Sequence, residues 1–270
     1  MDANLETPTA SNPDLRSRSL FSGPDPQPEA PNTPLSLRVW NQPAAKFEPN
    51  WRRLARKLVI GLGAPRSVSS AYNLLRSQII QALGQNNLST VAITSPSRRS
   101  GTTLTAINLA VNMARDFNHT VLLVELDLIN PSFQRTLGFK HRPGVVDYLL
   151  HDAPLSELLL DIGVDRLAVI PAGAPVANSS GLLSSPRMVR FMEELKGRYP
   201  RQIVLFDLPA VLAFDDAMEF APLVDCALLV VEEGEAKVSD VRRALAHLKS
   251  TKILGTVLNR STPGRQTGTR

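Results

Sequence analysis

Cysteine and long apolar runs are almost absent from this sequence of 270 residues, which contains one cysteine. A single cysteine excludes a disulfide within the chain, and Cys226 lies in the apolar run 224–231, where we expect a buried, unreactive thiol. No apolar run approaches the length of about 18 residues that crosses a bilayer. The first residues, MDANLETPTA, also lack the basic and apolar regions of a signal peptide. We therefore expect the protein to stay in the cytoplasm.

Negative charge is missing from two segments of a chain whose net charge is +5. Residues 51–57, WRRLARK, carry four basic side chains and no acid, and the charged residues of 261–270 are all basic. Such segments favour peripheral contact with the inner face of a membrane or with an acidic partner. A solvated helix start and a flexible tail explain the same composition, and the sequence leaves both interpretations open.

Composition divides the chain into four parts. Residues 1–50 are rich in Pro, Ser, Asn and Asp and contain few aliphatic residues. Because they cannot bury enough apolar surface to offset the entropy of ordering, we predict a disordered, Pro-rich tail. We assign residues 51–66 to a basic linker, 67–260 to one folded domain and 261–270 to a flexible basic tail.

The folded domain alternates short apolar runs with helical patterns. Residues 67–83, SVSSAYNLLRSQIIQAL, have apolar side chains at helical spacing, and we expect this helix to pack beside the first strand. Later runs are apolar throughout, as in parallel strands that are buried on both faces. We therefore predict an α/β fold, a doubly wound parallel sheet flanked by helices. The predicted strands are 90–94, 120–126, 166–171, 202–207, 225–231 and 252–258, and the predicted helices are 103–115, 186–198 and 237–249.

Residues 91–110, VAITSPSRRSGTTLTAINLA, have the outline of a phosphate-binding loop between a strand and a helix. In the standard pattern, G-x-x-x-x-G-K-[ST], backbone N–H groups cradle phosphates, the lysine neutralises their charge and the hydroxyl holds Mg²⁺. Gly101 and Thr103 fit the last glycine and the hydroxyl. Thr102 stands at the lysine position, and the first glycine is absent. The helix N-terminus still favours an anion.

Acidic residues follow two further strands. Glu125 and Asp127 end the run VLLVELDL, and Asp207 ends QIVLFDLP, with Asp215 and Asp216 a few residues later. Ligands of such sheets bind outside the carboxyl ends of the strands, where these carboxylates meet the loop. Carboxylates at this position hold Mg²⁺ through its waters and deprotonate an attacking hydroxyl. Any one of them is equally explained as a helix cap or an ion-pair partner, but together they indicate a nucleotide site.

These motifs, in this order, resemble the bacterial tyrosine kinases of exopolysaccharide and capsule biosynthesis, whose P-loop fold is shared with MinD and ParA. The chain looks most like the autokinases encoded in exopolysaccharide loci, and the resemblance covers residues 67–260. The family implies ATP-dependent autophosphorylation of a C-terminal tyrosine cluster, activation by a membrane polysaccharide co-polymerase, and control of polymer length or export. The matching segments include TSPSRRSGTTLTAINLA, HTVLLVELDLINPSF, LAVIPAG, LLSSPRM, IVLFDLPAVLAFDDA and GTVLNR.

The resemblance also implies roles for individual residues. Thr103, Asp127 and Asp207 match the residues that hold Mg²⁺, and Glu125 stands where the family has a catalytic Asp. Glu125, Asp127 and Asp207 are therefore the expected catalytic residues. Asn259 matches an asparagine on the adenine side of the nucleotide. The residues expected to contact ATP are Arg98, Arg99, Ser100, Gly101, Thr102, Thr103, Leu104 and Asn259.

The sequence departs from the family pattern at the catalytic parts. Thr102 in place of Lys removes a charge-assisted contact worth about 1.5–3 kcal/mol in binding, so we doubt that ATP binds tightly. Arg99 occupies a glycine position where backbone must approach phosphate. Arg98 or Arg99 as a surrogate cation is an alternative, although a guanidinium does not simply replace an ammonium. Glu125 moves the acid by a methylene, and a misplacement of about 1 Å costs on the order of a hundredfold in rate.

Residues that relatives use for assembly and as phosphate acceptors are also changed. Ile129 and Asn130 replace the basic residues that follow Asp127 in the family. No tyrosine follows Asn259 in this sequence. The three tyrosines, all inside the predicted domain, are Tyr72, Tyr148 and Tyr199. Ring assembly is in doubt because the helix signature E-x-x-R-x-x-R becomes Ser70, Asn73 and Arg76.

Three functions agree with these observations. The leading hypothesis is a catalytically degenerate, pseudokinase-type regulator of exopolysaccharide biosynthesis or export, cytoplasmic and peripherally associated with the membrane. It predicts contact with a membrane polysaccharide co-polymerase or with an intact kinase paralogue, and no nucleic acid. The alternatives are an active ATP-dependent protein-tyrosine autokinase and a ParA- or MinD-like positioning ATPase for DNA or membrane cargo. The polymer and the oligomeric state stay open.

Overall fold

The structure, a computed structural model, describes residues 45–51, 54, 66–196 and 201–261. The predicted tail up to residue 44, most of the basic linker and the basic segment beyond residue 261 lie outside the described residues. Tyr199 and the end of the predicted helix 186–198 also lie outside them. No helix among the described residues is long and apolar enough to cross a membrane.

One eight-stranded sheet runs through the described residues. Its strands are β1 (Ala45–Lys46), β2 (Thr90–Thr94), β3 (Thr120–Glu125), β4 (Leu160–Asp161), β5 (Leu167–Ile170), β6 (Gln202–Asp207), β7 (Cys226–Glu232) and β8 (Lys252–Asn259). They lie in the order β1-β4-β5-β3-β6-β2-β7-β8, and every neighbouring pair is parallel except β4 with β5. Non-consecutive neighbours require crossover connections, so the predicted doubly wound sheet is confirmed.

Helices connect the strands and cover both faces of the sheet. They are α1 (Arg66–Asn86), α2 (Thr102–Met113), α3 (Phe133–Leu137), α4 (Val145–His151), α5 (Leu155–Leu158), α6 (Ser179–Leu183), α7 (Pro186–Leu195), α8 (Asp216–Phe220) and α9 (Val238–His247), with a 3₁₀ turn at Ala221–Leu223. The sequence predicted α1, α2, α7 and α9, with ends that differ by a few residues. It missed the short helices and β1 and β4, because elements of two to seven residues show no clear periodicity.

The core consists of two apolar layers, one on each face of the sheet. Successive side chains of a strand point to opposite faces, so β2 sends Val91 and Ile93 into one layer and Ala92 into the other. All three are at most 1% exposed. This two-sided burial explains why the strands read as continuous apolar runs. Cys226 is buried in the same layer as Val91, and burial raises the pKa of its thiol to about 12.

Helix α1 packs on α2 rather than beside the first strand alone. The Arg76 guanidinium donates a hydrogen bond to the Asn112 carbonyl at 3.4 Å, and the Asn112 amide donates to the Asn73 side-chain oxygen at 3.0 Å. Two of the three positions that replace the family's assembly signature, Asn73 and Arg76, are therefore engaged within this chain.

Residues at the N-terminal boundary, which we assigned to the tail and the linker, pack on the domain. The Ala45 and Phe47 N–H groups donate to the carbonyls of Leu159 and Asp161 at 3.2 and 2.8 Å. The Phe47 ring meets the edge of the Phe139 ring at 5.9 Å, and Leu54 is 2% exposed. This short segment extends the sheet beyond β4, which no pattern in the sequence indicates.

Asp225, immediately before β7, ties the start of that strand to the start of β2. Its Oδ2 accepts hydrogen bonds from the Ser89 and Thr90 N–H groups, both at 2.9 Å, and the Lys196 ammonium lies 3.8 Å from Oδ1. Burial alone would raise the pKa of Asp225. The hydrogen bonds and Lys196 outweigh burial and lower its pKa below the ordinary value.

We expect Asp225→Asn to lower the free energy of unfolding by about 1–2 kcal/mol at pH 7, because hydrogen bonds to a charged acceptor are the stronger ones. The folded-state pKa lies below the unfolded value of about 3.9. The stabilisation is therefore present above that value and is lost as the pH falls through the folded pKa. Urea unfolding of both proteins between pH 7 and about pH 2.5 measures the difference.

Asp240→Asn is the matched control, because Asp240 forms an exposed ion pair with Arg243 at 3.5 Å. We expect it to cost less than about 0.5 kcal/mol. A loss in Asp225→Asn that stays constant over the whole pH range would contradict the assignment.

Candidate functional site

A cleft of about 1230 Å³ opens at the carboxyl ends of the central strands β2, β3 and β6. Its walls are loop 95–101 with the start of α2, the segment 127–136 after β3, the segment 208–214 after β6, and Arg260 after β8. In the sheet β6 lies between β2 and β3. Parallel pairing therefore brings the three segments to one edge, as predicted for ligand sites in this class of sheet.

Loop 95–101 forms a compact turn held by its own hydrogen bonds. The hydroxyl groups of Ser95 and Ser100 both donate to the Ser97 carbonyl, at 2.8 and 2.9 Å. Arg99 has φ +68° and Gly101 has φ +85°, both in the left-handed region. Glycine adopts this conformation freely, whereas Arg99 does so at a cost of about 1–2 kcal/mol. The loop thus keeps at Arg99 a backbone conformation that is typical of glycine, and the backbone strain falls on that residue.

Asn259 holds the same loop from the end of β8. Its Nδ2 donates a hydrogen bond to the Ser100 carbonyl at 2.8 Å. A Cβ atom at position 101 would lie 2.2 Å from this nitrogen and would displace the Asn259 amide, and the φ of +85° also favours glycine there. The amide that the resemblance places on the adenine side of a nucleotide contacts the loop backbone here.

The start of α2 presents backbone donors to the cleft. Gly101 is the N-cap residue and provides no side-chain cap, so the first N–H groups of the helix stay available to an anion. Thr102, Thr103 and Leu104 line the cleft at this point. Among the described residues no lysine lines the cleft. Its cationic side chains are those of Arg98, Arg99, Arg135 and Arg260.

Two acidic residues lie at or below the floor of the cleft. Asp127 lines it and accepts a hydrogen bond from the Asn130 N–H at 2.9 Å. Burial raises the pKa of Asp127, and Asp216 adds to this effect while Arg98 opposes it. Asp207 is 1% exposed, and burial raises its pKa well above the ordinary value. Neither Asp207 oxygen has a well-aligned hydrogen-bond donor in the described structure, although the Thr103 hydroxyl favours its charged form.

Glu125, the third predicted catalytic acid, is held by backbone hydrogen-bond donors. Its Oε1 accepts hydrogen bonds from the N–H groups of Ser132 and Phe133, the latter at 2.7 Å, and its Oε2 accepts one from Ala172 at 3.1 Å. The side chain is 1% exposed and does not line the cleft. Burial raises the pKa of Glu125 to about 7 against the effect of these three donors. The carboxylate thus fixes the start of α3, which forms one wall.

The residues present fit part of a magnesium–nucleotide site. The uncapped α2 N-terminus and Gly101 suit a closely approaching phosphate. The unpartnered oxygens of Asp207 suit Mg²⁺ or one of its waters. Within the described residues, no three His, Cys, Asp or Glu side chains converge on a metal position. Mg²⁺ would therefore rely on Thr103, Asp127, Asp207 and phosphate oxygens, and its chemistry would be charge neutralisation.

The structure brings most of the predicted site residues to the cleft. Ser100 belongs to the loop and accepts a hydrogen bond from Asn259, but neither residue lines the cleft, and nor do Asp207 and Glu125. The predicted residues that line the cleft are Arg98, Arg99, Gly101, Thr102, Thr103, Leu104 and Asp127.

Sequence reasoning missed Arg135, Phe214 and Arg260, which also line the cleft. Phe214 directly precedes Asp215 in the segment after β6, so the sequence could have shown that it lies near the site. Its orientation was not. Nothing in the sequence connects Arg135 or Arg260 with the loop, since both positions depend on how α3 and β8 pack.

Comparison with known proteins identifies the family of this chain. The chain matches no protein-family model. It is 30% identical over 205 residues to tyrosine-protein kinase YwqD of Bacillus subtilis, a match that covers 74% of this chain and 85% of the relative. It is also 30% identical over 218 residues to the succinoglycan biosynthesis transport protein ExoP of Rhizobium meliloti, covering 78% of this chain and 27% of ExoP.

Solved structures agree in fold. The kinase domain of Escherichia coli tyrosine kinase ETK superposes with a TM-score of 0.66 at 23% identity, covering 89% of this chain and 99% of that one. The cell division ATPase MinD of Pyrococcus furiosus superposes with a TM-score of 0.55 at 28% identity, covering 66% and 74%. The chain belongs to the family of bacterial tyrosine-protein kinases, on the fold shared with MinD-like P-loop ATPases.

Proposed function

We propose that this protein is a kinase-fold regulator of exopolysaccharide biosynthesis or export that does not transfer phosphate to tyrosine. The observation that carries the proposal is the position of Glu125. Where the family resemblance implies a catalytic acid, the Glu125 carboxylate binds three backbone N–H groups. These hydrogen bonds give the carboxylate a structural use, and Glu125 does not line the cleft where a general base would meet a substrate hydroxyl.

The charge of the cleft supports the same conclusion. The loop provides no lysine at Thr102, and phosphoryl transfer depends on charge stabilisation in the transition state. Four arginines line the cleft, but a guanidinium does not reproduce the compact charge of an ammonium. Among the described residues no tyrosine lines the cleft, and the Tyr148 hydroxyl donates to Glu194 at 2.7 Å. The described tyrosines are therefore not placed as acceptors in this site.

The proposed partner is a membrane polysaccharide co-polymerase or an intact kinase paralogue. This chain matches only 27% of ExoP, a relative named for succinoglycan biosynthesis and transport. A protein with this fold would regulate such a system by binding to the partner, at the inner face of the membrane, instead of by catalysis.

A second candidate function, an active tyrosine autokinase, is favoured by one observation. Loop 95–101 keeps left-handed backbone at Arg99 and Gly101, and the α2 N-terminus is uncapped, so phosphate can still approach. This reading requires Asp127 or Asp207 to replace Glu125 as the catalytic acid.

Incubation of the full chain with Mg·ATP, followed by intact mass measurement and phosphotyrosine detection, tests the proposal. We expect no phosphate incorporation, because Thr102 stands at the lysine position and Glu125 does not line the cleft. Asp207→Ala is the control that removes the buried acid of the site. Phosphotyrosine that forms in the unmodified chain and disappears in Asp207→Ala would establish the active kinase instead.

Thr102→Lys tests whether position 102 limits nucleotide binding. We expect affinity for Mg·ATP to rise about tenfold to a hundredfold, because a charge-assisted hydrogen bond contributes about 1.5–3 kcal/mol. Calorimetric titration measures the change. Thr136→Lys adds the same charge to the α3 wall of the cleft and is the matched control. An equal gain in both variants would show a general charge effect and contradict a role for position 102.

Glu125→Asp tests whether this carboxylate is structural. The side chain loses a methylene and withdraws from the N–H groups of Ser132, Phe133 and Ala172. Leaving buried donors unpaired costs about 1–3 kcal/mol, and we expect that loss in the free energy of urea unfolding. The exposed Glu219 provides the control, Glu219→Asp, which should change stability by less than about 0.5 kcal/mol. Unchanged stability together with new ATP turnover in Glu125→Asp would show that the acid serves the cleft.

A further inference from the structure

Arg98 and Phe214 form a cation–π pair across the mouth of the cleft. The Arg98 guanidinium carbon lies 5.4 Å from the centre of the Phe214 ring, and both side chains line the cleft. Arg98 belongs to loop 95–101, whereas Phe214 ends the segment that follows β6. The pair therefore joins two walls of the cleft, loop 95–101 and the segment 208–214.

Backbone hydrogen bonds fix the position of Phe214 relative to the loop. The Val211 N–H donates to the Ser95 carbonyl at 2.9 Å, and the Leu212 N–H donates to the Pro96 carbonyl at 3.3 Å. The Phe214 N–H closes the turn by donating to Ala210 at 3.3 Å. Because the two segments are bonded to each other, the ring occupies a defined place beside Arg98.

Arg98 lines the cleft, and among the described residues its guanidinium forms no ion pair with a carboxylate. Its positive charge opposes the effect of burial on the Asp127 carboxyl in the cleft floor. Arg260, in contrast, forms an ion pair with Glu232. An aromatic face holds a guanidinium without neutralising it and leaves the N–H edges free to donate to phosphate oxygens.

We propose that Phe214 is a positioning residue that holds the Arg98 guanidinium beside loop 95–101, where Arg98 supplies the positive charge for a bound phosphate that Thr102 does not. The ligand class is a nucleoside di- or triphosphate. The inference rests on the proposed function in taking the cleft as a phosphate-binding regulatory site. It does not depend on whether phosphate is transferred. Holding the side chain in place lowers the entropy lost when it contacts the ligand.

A double-mutant cycle on the full chain, titrated calorimetrically with Mg·ADP, tests the proposal. We expect Arg98→Ala to weaken binding about tenfold or more, the range for charge-assisted hydrogen bonds. Phe214→Leu should weaken it about two- to fivefold, the range for an exposed cation–π contact. The double variant should bind no more weakly than Arg98→Ala, because the ring acts through the arginine. Phe214→Tyr should retain the affinity of the unmodified chain.

The chain offers a matched control in a second cation–π pair, in which the Arg166 guanidinium carbon lies 4.6 Å from the centre of the exposed Phe117 ring. Phe117→Leu should leave Mg·ADP affinity unchanged. Thermal unfolding of each variant identifies any loss of fold, and if Phe214→Leu is destabilised, Phe214→Met, whose unbranched side chain adapts to irregular space, replaces it in the cycle.

Losses that add independently in the double variant, or an equal loss in Phe117→Leu, would overturn the proposal. It would also be overturned if the unmodified chain bound neither Mg·ADP nor inorganic pyrophosphate at millimolar concentration. Failure of the regulatory function has a different signature, phosphotyrosine formed by the chain itself, so the two results are distinguishable.

Discussion

The parallel pairing of β3, β6 and β2 is the constraint on which the site depends. In this register Glu125 lies opposite Asp207, and Asp207 lies opposite Ile93 at the end of β2. Three segments far apart in the sequence therefore leave the sheet side by side, and the cleft is the space between them. The apolar layers on both faces maintain this register, since a slip of one residue would send every strand side chain to the opposite face.

The two buried carboxylates at this edge of the sheet, Glu125 and Asp207, have different surroundings. The Glu125 carboxylate accepts hydrogen bonds from three backbone N–H groups and fixes the start of α3. Its hydrogen-bonding capacity is therefore directed to the backbone of this chain. Asp207 is equally buried, yet its oxygens have no well-aligned donor among the described residues. Burying a charged carboxylate without such donors costs free energy unless a cation binds to it. The same edge of the sheet thus combines one structural acid with one acid that is suited to a metal.

Positive charge in the cleft comes from side chains on its rim and not from the loop position where the family has lysine. Arg98 rests on Phe214, and Arg99 takes a strained backbone conformation that a glycine would adopt freely. These features place guanidinium groups in the cleft instead of the compact ammonium that phosphoryl transfer uses. This distribution of charge supports the proposal of a regulator that binds a phosphate-bearing ligand.

The sequence by itself determined the alternation of buried strands and helices, the family, and the cleft-lining residues that belong to loop 95–101 and the start of α2. These follow from local patterns, because two-sided burial makes strands continuously apolar and the loop motif is contiguous. It did not determine β1, β4 or the short helices, which are too brief to show a period. It predicted Glu125 as a cleft residue, since a carboxylate at the end of a strand carries no mark of its direction. Only the tertiary structure decided that Glu125 turns toward the α3 backbone and that Phe214 meets Arg98. Both contacts join segments separated along the chain, and their geometry depends on the packing of neighbouring walls.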